Sequence, residues 1–203
     1  MTSIATIDQY DAAKIILSSP NDDLYAPDQK QAFLDAASDY IETLMYQPAR
    51  LTSQDETFLL GTLYCSLDQN QMINIFPRYF PVGTISSIKY KAAPGTSASQ
   101  VTITPDQYDV IPGGVGVGPR IVIPFSWWNS PQAFLIFEVI YTSGYAAGAM
   151  PKDLVYICCL VAAYFMSAGY AATEINGNTA RQVLPDWAWP IVTEVTDRYG
   201  RQF

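Results

Sequence analysis

The run from Leu154 to Met166 holds no charged residue, and it limits what this chain can fold into more than any other stretch. Pro151-Lys152-Asp153 ahead of it reads as a helix start. Proline at the first helical position forfeits no hydrogen bond, and Asp153 sits where the helix dipole favours negative charge. A helix that is apolar on every side cannot lie on a surface with one face in water, so it needs partners all round. It is too short to span a bilayer, which takes about 20 apolar residues. The run is therefore a core helix, or a core helix that also packs against neighbouring subunits. A strand from Phe134 to Thr142 and a turn at Ser143-Gly144-Tyr145 lead into it.

With 203 residues, 49% of them hydrophobic, the chain is long enough for one sizeable core, or for one domain carrying an insertion. Only 15% of the residues are charged, which leaves little charged surface and hints that partners cover some of it. The 19 acidic residues outnumber the 11 basic ones, so the net charge of −8 repels nucleic acid rather than collecting it. Histidine is absent, which removes the commonest general base and the commonest metal ligand. Cys65, Cys158 and Cys159 form no CxxC pair and read as buried, reduced thiols. Met1-Thr2-Ser3-Ile4 lacks a basic region followed by an apolar run, so no signal peptide is expected and the protein is expected to be made in a cytoplasm.

Taken in order, Ile7 to Leu17 can form a first helix with Tyr10, Ala13, Ile16 and Leu17 on one face, ended by Ser18 to Asp23. Pro27 opens a second helix whose Phe33, Ala36, Ala37, Tyr40, Ile41 and Leu44 form an apolar stripe opposite Gln31, Asp35, Asp39 and Glu42. From Arg50 to Val139 the period turns to alternation and turn residues multiply, which predicts a β section. Strands are expected around Ile88 and Tyr90, Val101 and Ile103, and Ile121 and Ile123. Loops are expected at Ala92 to Ser99 and Gly113 to Gly118. Gly169 to Thr179 suits a linker, and Pro190 opens a last helix through Tyr199. The organisation is α+β: residues 1–49 form the N-terminal helical part of the core, 50–142 a β-strand-rich insertion, 143–175 the long apolar core helix, and 176–203 an extended C-terminal arm.

The search for chemistry returns nothing that asks to be an active site. Asp22-Asp23 and Asp55-Glu56 are carboxylate neighbours in turn-rich sequence, where solvated acid is expected and side chains point apart. A cryptic hydrolase using Asp55 and Glu56 is the least favoured reading. No GxSxG elbow occurs, and without histidine neither serine nor cysteine has its usual base. The glycines from Gly113 to Gly118 lack the GKS or GKT ending of a phosphate loop. We expect no catalysis, no cofactor and no metal. Trp127 and Trp128 could form a carbohydrate platform, which gives an alternative function, a monomeric β-rich module binding carbohydrate or a cell surface; buried indoles anchoring a hairpin end are the plainer explanation. The tail carries Trp187, Trp189, Arg198, Tyr199, Arg201 and Phe203, and aromatics with arginine are enriched at interface centres. Folding back on its own core explains that composition equally well.

Five short motifs follow one another along the chain: an AAxxxIE helix at Ala36-Ala37 to Ile41-Glu42, a P-V-x-x-I-x-x-I strand at Pro81-Val82 to Ile85 and Ile88, and Tyr108-Asp109-Val110. Tyr141 to Gly144-Tyr145, with Pro151 to Leu154, makes a Y-x-x-G-Y…P-x-x-L step, and Leu184-Pro185 to Arg198-Tyr199 ends the series. In these motifs and their order the chain resembles the head–tail connector, or adaptor, proteins of tailed bacteriophages. The resemblance implies a structural protein of the virion neck, assembled in the host cytoplasm as a homo-oligomeric, dodecameric ring, with DNA passing through without specific binding and no membrane involved. Its partners would be the portal protein above and a stopper or tail-completion protein below. The arm residues named above would dock on the portal, and Tyr156, Cys159, Leu160 and Tyr164 would make lateral contacts in the ring. Deleting Leu184 to Phe203 is expected to leave a folded protein that no longer joins the portal.

Overall fold

The structure, a computed structural model, describes residues 3–17, 24–92, 100–113, 118–124, 135–167 and 184–200. Those residues carry four α-helices and two antiparallel sheets, a mixed α+β architecture. The chain divides into two compact units: Met1–Arg50 with Tyr145–Phe203, which is helical, and Leu51–Gly144, which is built of strands.

In the helical unit, α1 (Ile7–Leu17) and α2 (Pro27–Met45) precede the β section, and α3 (Lys152–Ser167) and α4 (Ala188–Tyr199) follow it. Pro27 is the first residue of α2, and Pro151 stands just ahead of α3, whose first helical bond runs from the Val155 amide to the Pro151 carbonyl. Ten of the sixteen residues of α3 are buried, and α1, α2 and α4 all pack against it. That arrangement answers the demand of a helix with no wet face. Each covering helix contributes a stripe: Ile7, Tyr10 and Ala13 from α1, Phe33, Leu34, Ala37 and Ile41 from α2, and Ala188, Val192 and Val195 from α4. The stripe of α2 is rotated slightly from the expected one, because Ser38 also turns inward. Its hydroxyl donates to the Leu34 carbonyl at 2.7 Å and accepts the Ile4 amide at 2.9 Å, so a buried polar group is satisfied and the N-terminal segment is tied to α2.

Three expectations are corrected here. The C-terminal stretch is not an extended arm over its described part: Leu184 is buried and α4 lays an apolar face on the core. Deleting Leu184 to Phe203 would strip those side chains from the helical core, so the truncation is not a neutral test of partner binding. The helix also starts at Ala188, two residues before Pro190, because a proline in the first turn sits where the amide has no partner to lose. Cys159 and Leu160, expected at a lateral ring contact, are instead buried in the chain's own core. The apolar helix described ends at Ser167, and the expected continuation to residue 175 lies outside the described residues.

In the β unit, β1 (Thr52–Leu59), β8 (Leu135–Ser143), β4 (Val82–Ala92) and β5 (Val101–Ile103) form one sheet in that order; β2 (Cys65–Leu67), β3 (Met72–Ile75), β7 (Arg120–Pro124) and β6 (Asp109–Ile111) form the other. Every pairing between neighbours is antiparallel. β8 alternates strictly, with Leu135, Phe137, Val139 and Tyr141 inward, and both sheets supply one cluster with Phe58, Ile73, Ile75, Ile88, Ile121 and Ile123. β1, β5, β2 and β6 are the edge strands, and the chain passes from one edge strand to another between β1 and β2 and between β5 and β6.

Replacing Leu160 with alanine should remove about 2–5 kcal/mol of stability. Because the side chain is buried within one chain, the urea midpoint should fall with an unchanged slope at every protein concentration. Burial also pushes the Cys65 and Cys159 thiols up to about 12 and the Cys158 thiol up to about 11. The unfolded chain releases these protons near the ordinary 9.0 while the folded chain holds them, so this stability is complete below that pH and is lost as pH rises toward the folded values. By about pH 10 each thiol should have cost about 1.4 kcal/mol. The urea midpoint should drop between about pH 8 and about pH 10, and less so in Cys158→Ala/Cys159→Ala.

Candidate interaction surface

Asp153, read from sequence as a dipole-compensating residue, also anchors the far end of α4. Its two carboxylate oxygens accept the Tyr199 hydroxyl, both at 2.9 Å, and Oδ2 accepts the Arg198 guanidinium at 3.0 Å. Burial and the hydrogen bond to a carboxylate both raise the Tyr199 hydroxyl above the ordinary phenol range. The ring of Tyr145 meets that of Tyr199 edge-on at 6.3 Å, and the Gln47 side-chain amide donates to the Tyr199 carbonyl. Gly200 follows, where a Cβ would come within 2.6 Å of the Thr196 carbonyl oxygen and 3.3 Å of the Met45 carbonyl oxygen, so the end of α4 lies close against the end of α2. Arg198 also reaches Glu194 at 3.2 Å. Being more than half exposed, the Arg198 pairs contribute at most about 1 kcal/mol; the part-buried Tyr199 hydroxyl bond contributes about 1.5–3 kcal/mol because its acceptor is charged.

At the opposite end, Trp187 has its ring edge-on to Tyr164 of α3 at 6.2 Å and remains 57% exposed. Tyr156, two helical turns nearer the start of α3, is 36% exposed; the Tyr164 hydroxyl is raised first by burial and then by Tyr156. Ile191, one helical turn after Trp187, is 37% exposed. The structure thus joins Trp187, assigned from sequence to the arm, with Tyr156 and Tyr164, assigned to a ring contact, and adds Ile191. The spacing of four from Trp187 carried that signal in the sequence. Trp189 turns the other way and packs against the helical core. Arg201 and Phe203 lie outside the described residues, as do Asp22-Asp23 and both Trp127 and Trp128.

The β unit holds a second polar constellation. Glu56 points inward and is 8% exposed, accepting the Tyr141 hydroxyl at 2.6 Å and the Arg78 amide at 3.0 Å, with the Arg78 guanidinium at 3.6 Å. Arg78 lies over the Tyr64 ring at 5.1 Å, and the Tyr79 amide donates to the Tyr141 hydroxyl at 3.2 Å. Burial first, then the hydrogen bond to Glu56, pushes the Tyr141 hydroxyl far up. Asp55, its neighbour on an alternating strand, is exposed on the other face. The two carboxylates do not converge, so the hydrolase reading loses its acid and base pair. Glu56 serves the fold by fixing the stretch before β4 onto β8.

No protein-family model matches the chain, and no curated protein matches it. A chain of a solved structure described as the neck of an empty GTA particle computed with C6 symmetry is similar over 96% of this chain and 89% of that one, with 19% identity and a TM-score of 0.48.

Among the described residues no helix is long and apolar enough to cross a membrane, and no group of three His, Cys, Asp or Glu side chains is placed to hold a metal ion. What the helical unit offers chemically is a surface: aromatic and aliphatic side chains outside, on a helix whose other face is committed to the core. Asp153→Ala should free the end of α4, and its amides should exchange with solvent about tenfold faster while those of α2 hold their rates.

Proposed function

We propose that this protein is a structural joining protein of a phage virion neck, a connector that assembles as a ring between the portal and a stopper or tail-completion protein and leaves a passage for DNA. The observation that carries the reading is α4. Its inner face is fixed by Ala188, Val192 and Val195 and its end by Asp153, while the Trp187 indole stays outside. An anchor held on an ordered helix pays little entropy on binding, which is how interface centres gain affinity from few residues. The ordered motif resemblance, from Ala36-Ala37 through Pro81-Val82 and Tyr141 to Leu184-Pro185, supports the same reading. So does the net charge of −8, which suits a passage that must not grip phosphate. With Cys159 and Leu160 inside the fold, lateral contacts in such a ring would come from other surface residues.

Light scattering of the purified protein, alone and with capsids that carry a portal but lack this protein, tests the proposal. A closed oligomer, or recruitment of the protein to those capsids, is expected, and Trp187→Ala should weaken recruitment about tenfold with folding intact. A persistent monomer that ignores the portal would end this reading.

A further inference from the structure

The patch of Tyr156, Tyr164, Trp187 and Ile191 is apolar at its centre and acidic at its margin. Asp186 stands beside Trp187, and Glu194 lies one turn beyond Ile191; both are exposed. Asp197 is exposed further along α4. The basic side chain at this margin on α4, Arg198, is already engaged by Glu194 and Asp153. The unit as a whole is acidic, with 13 carboxylates against 7 basic side chains over residues 1–50 and 145–203.

From this complementarity we propose that the patch is a docking surface for an amphipathic segment of another protein, one whose apolar side chains are flanked by lysine or arginine. The inference rests on the reading of α4 as a partner-binding element and adds the chemistry of the partner. A second copy of this chain is disfavoured as occupant: through the same face it would bring the same carboxylates against the same margin, and through any other face it brings a chain of net charge −8, so like charges repel. Anionic lipid and nucleic acid are repelled by the same field. A cationic, apolar segment satisfies both parts of the surface: its side chains cover Trp187 and Ile191, and its charges meet Asp186 and Glu194, whose 74% exposed carboxylate shares the single Arg198 guanidinium with Asp153.

The test uses the full chain and a fluorescein-labelled peptide of leucine and lysine in amphipathic helical order, with a leucine and glutamate peptide of the same pattern as control. Anisotropy should show binding of the lysine peptide, weakening with added salt, and no binding of the glutamate peptide. Trp187→Ala/Ile191→Ser should weaken it about tenfold, and the surface variant Asp186→Lys/Glu194→Lys should do the same, both with circular dichroism melts like the parent's. No binding of the lysine peptide, equal binding of both peptides, an unchanged affinity in either variant, or tighter association with phosphatidylserine vesicles would overturn the proposal. Peptide binding that persists in a protein unable to join portal-bearing capsids would remove the neck reading and leave this surface standing. Recruitment without peptide binding would do the reverse.

Discussion

The burial of α3 is the constraint on which the helical unit depends. A helix with no charge from Leu154 to Met166 is stable only if every side is dry, and three other helices each give up an apolar face to make it so. The cover comes from both ends of the chain. α1 and α2 lie before the β section and α4 after it, so the helical core cannot be completed until residues about a whole chain apart have met. The β section interrupts this unit in sequence while burying its own cluster between two sheets.

α4 therefore has two occupations. Its inward residues complete the cover of α3, and the Asp153 bonds to Tyr199 and Arg198 hold its last turn to the first turn of α3. That rigid seating is what gives meaning to the residues left outside. An indole on a disordered tail would have to be ordered on binding, whereas Trp187 is the N-cap residue of a helix already ordered by the fold. The same seating explains why truncation and point substitution address different questions: one dismantles the core and the other alters the surface.

The polar chemistry of the β unit is used internally. Glu56 satisfies a tyrosine hydroxyl and a backbone amide and sits beside a guanidinium, so its negative charge is compensated where water is scarce. Strand alternation sends Asp55 to the opposite face. Adjacent carboxylates in sequence thus acquire different surroundings, one solvated and one built into the fold.

By itself the sequence determined the kinds of element and much of their placing. The apolar spacing of α2, the prolines at the start of α2 and just ahead of α3, the alternation of β8 and the missing charge in α3 are local patterns, and the physics that reads them is local too. The tertiary structure decided which residues share a surface. Cys159 and Leu160 went inward while Tyr156 and Tyr164 met Trp187, Trp189 turned to the core, and Ile191 came to the outside. The aromatic and arginine content of the tail fits a binding arm and a docked helix alike. Only the cover demanded by α3 selects between them for each side chain, because burial is set by the neighbours a residue meets and not by its identity.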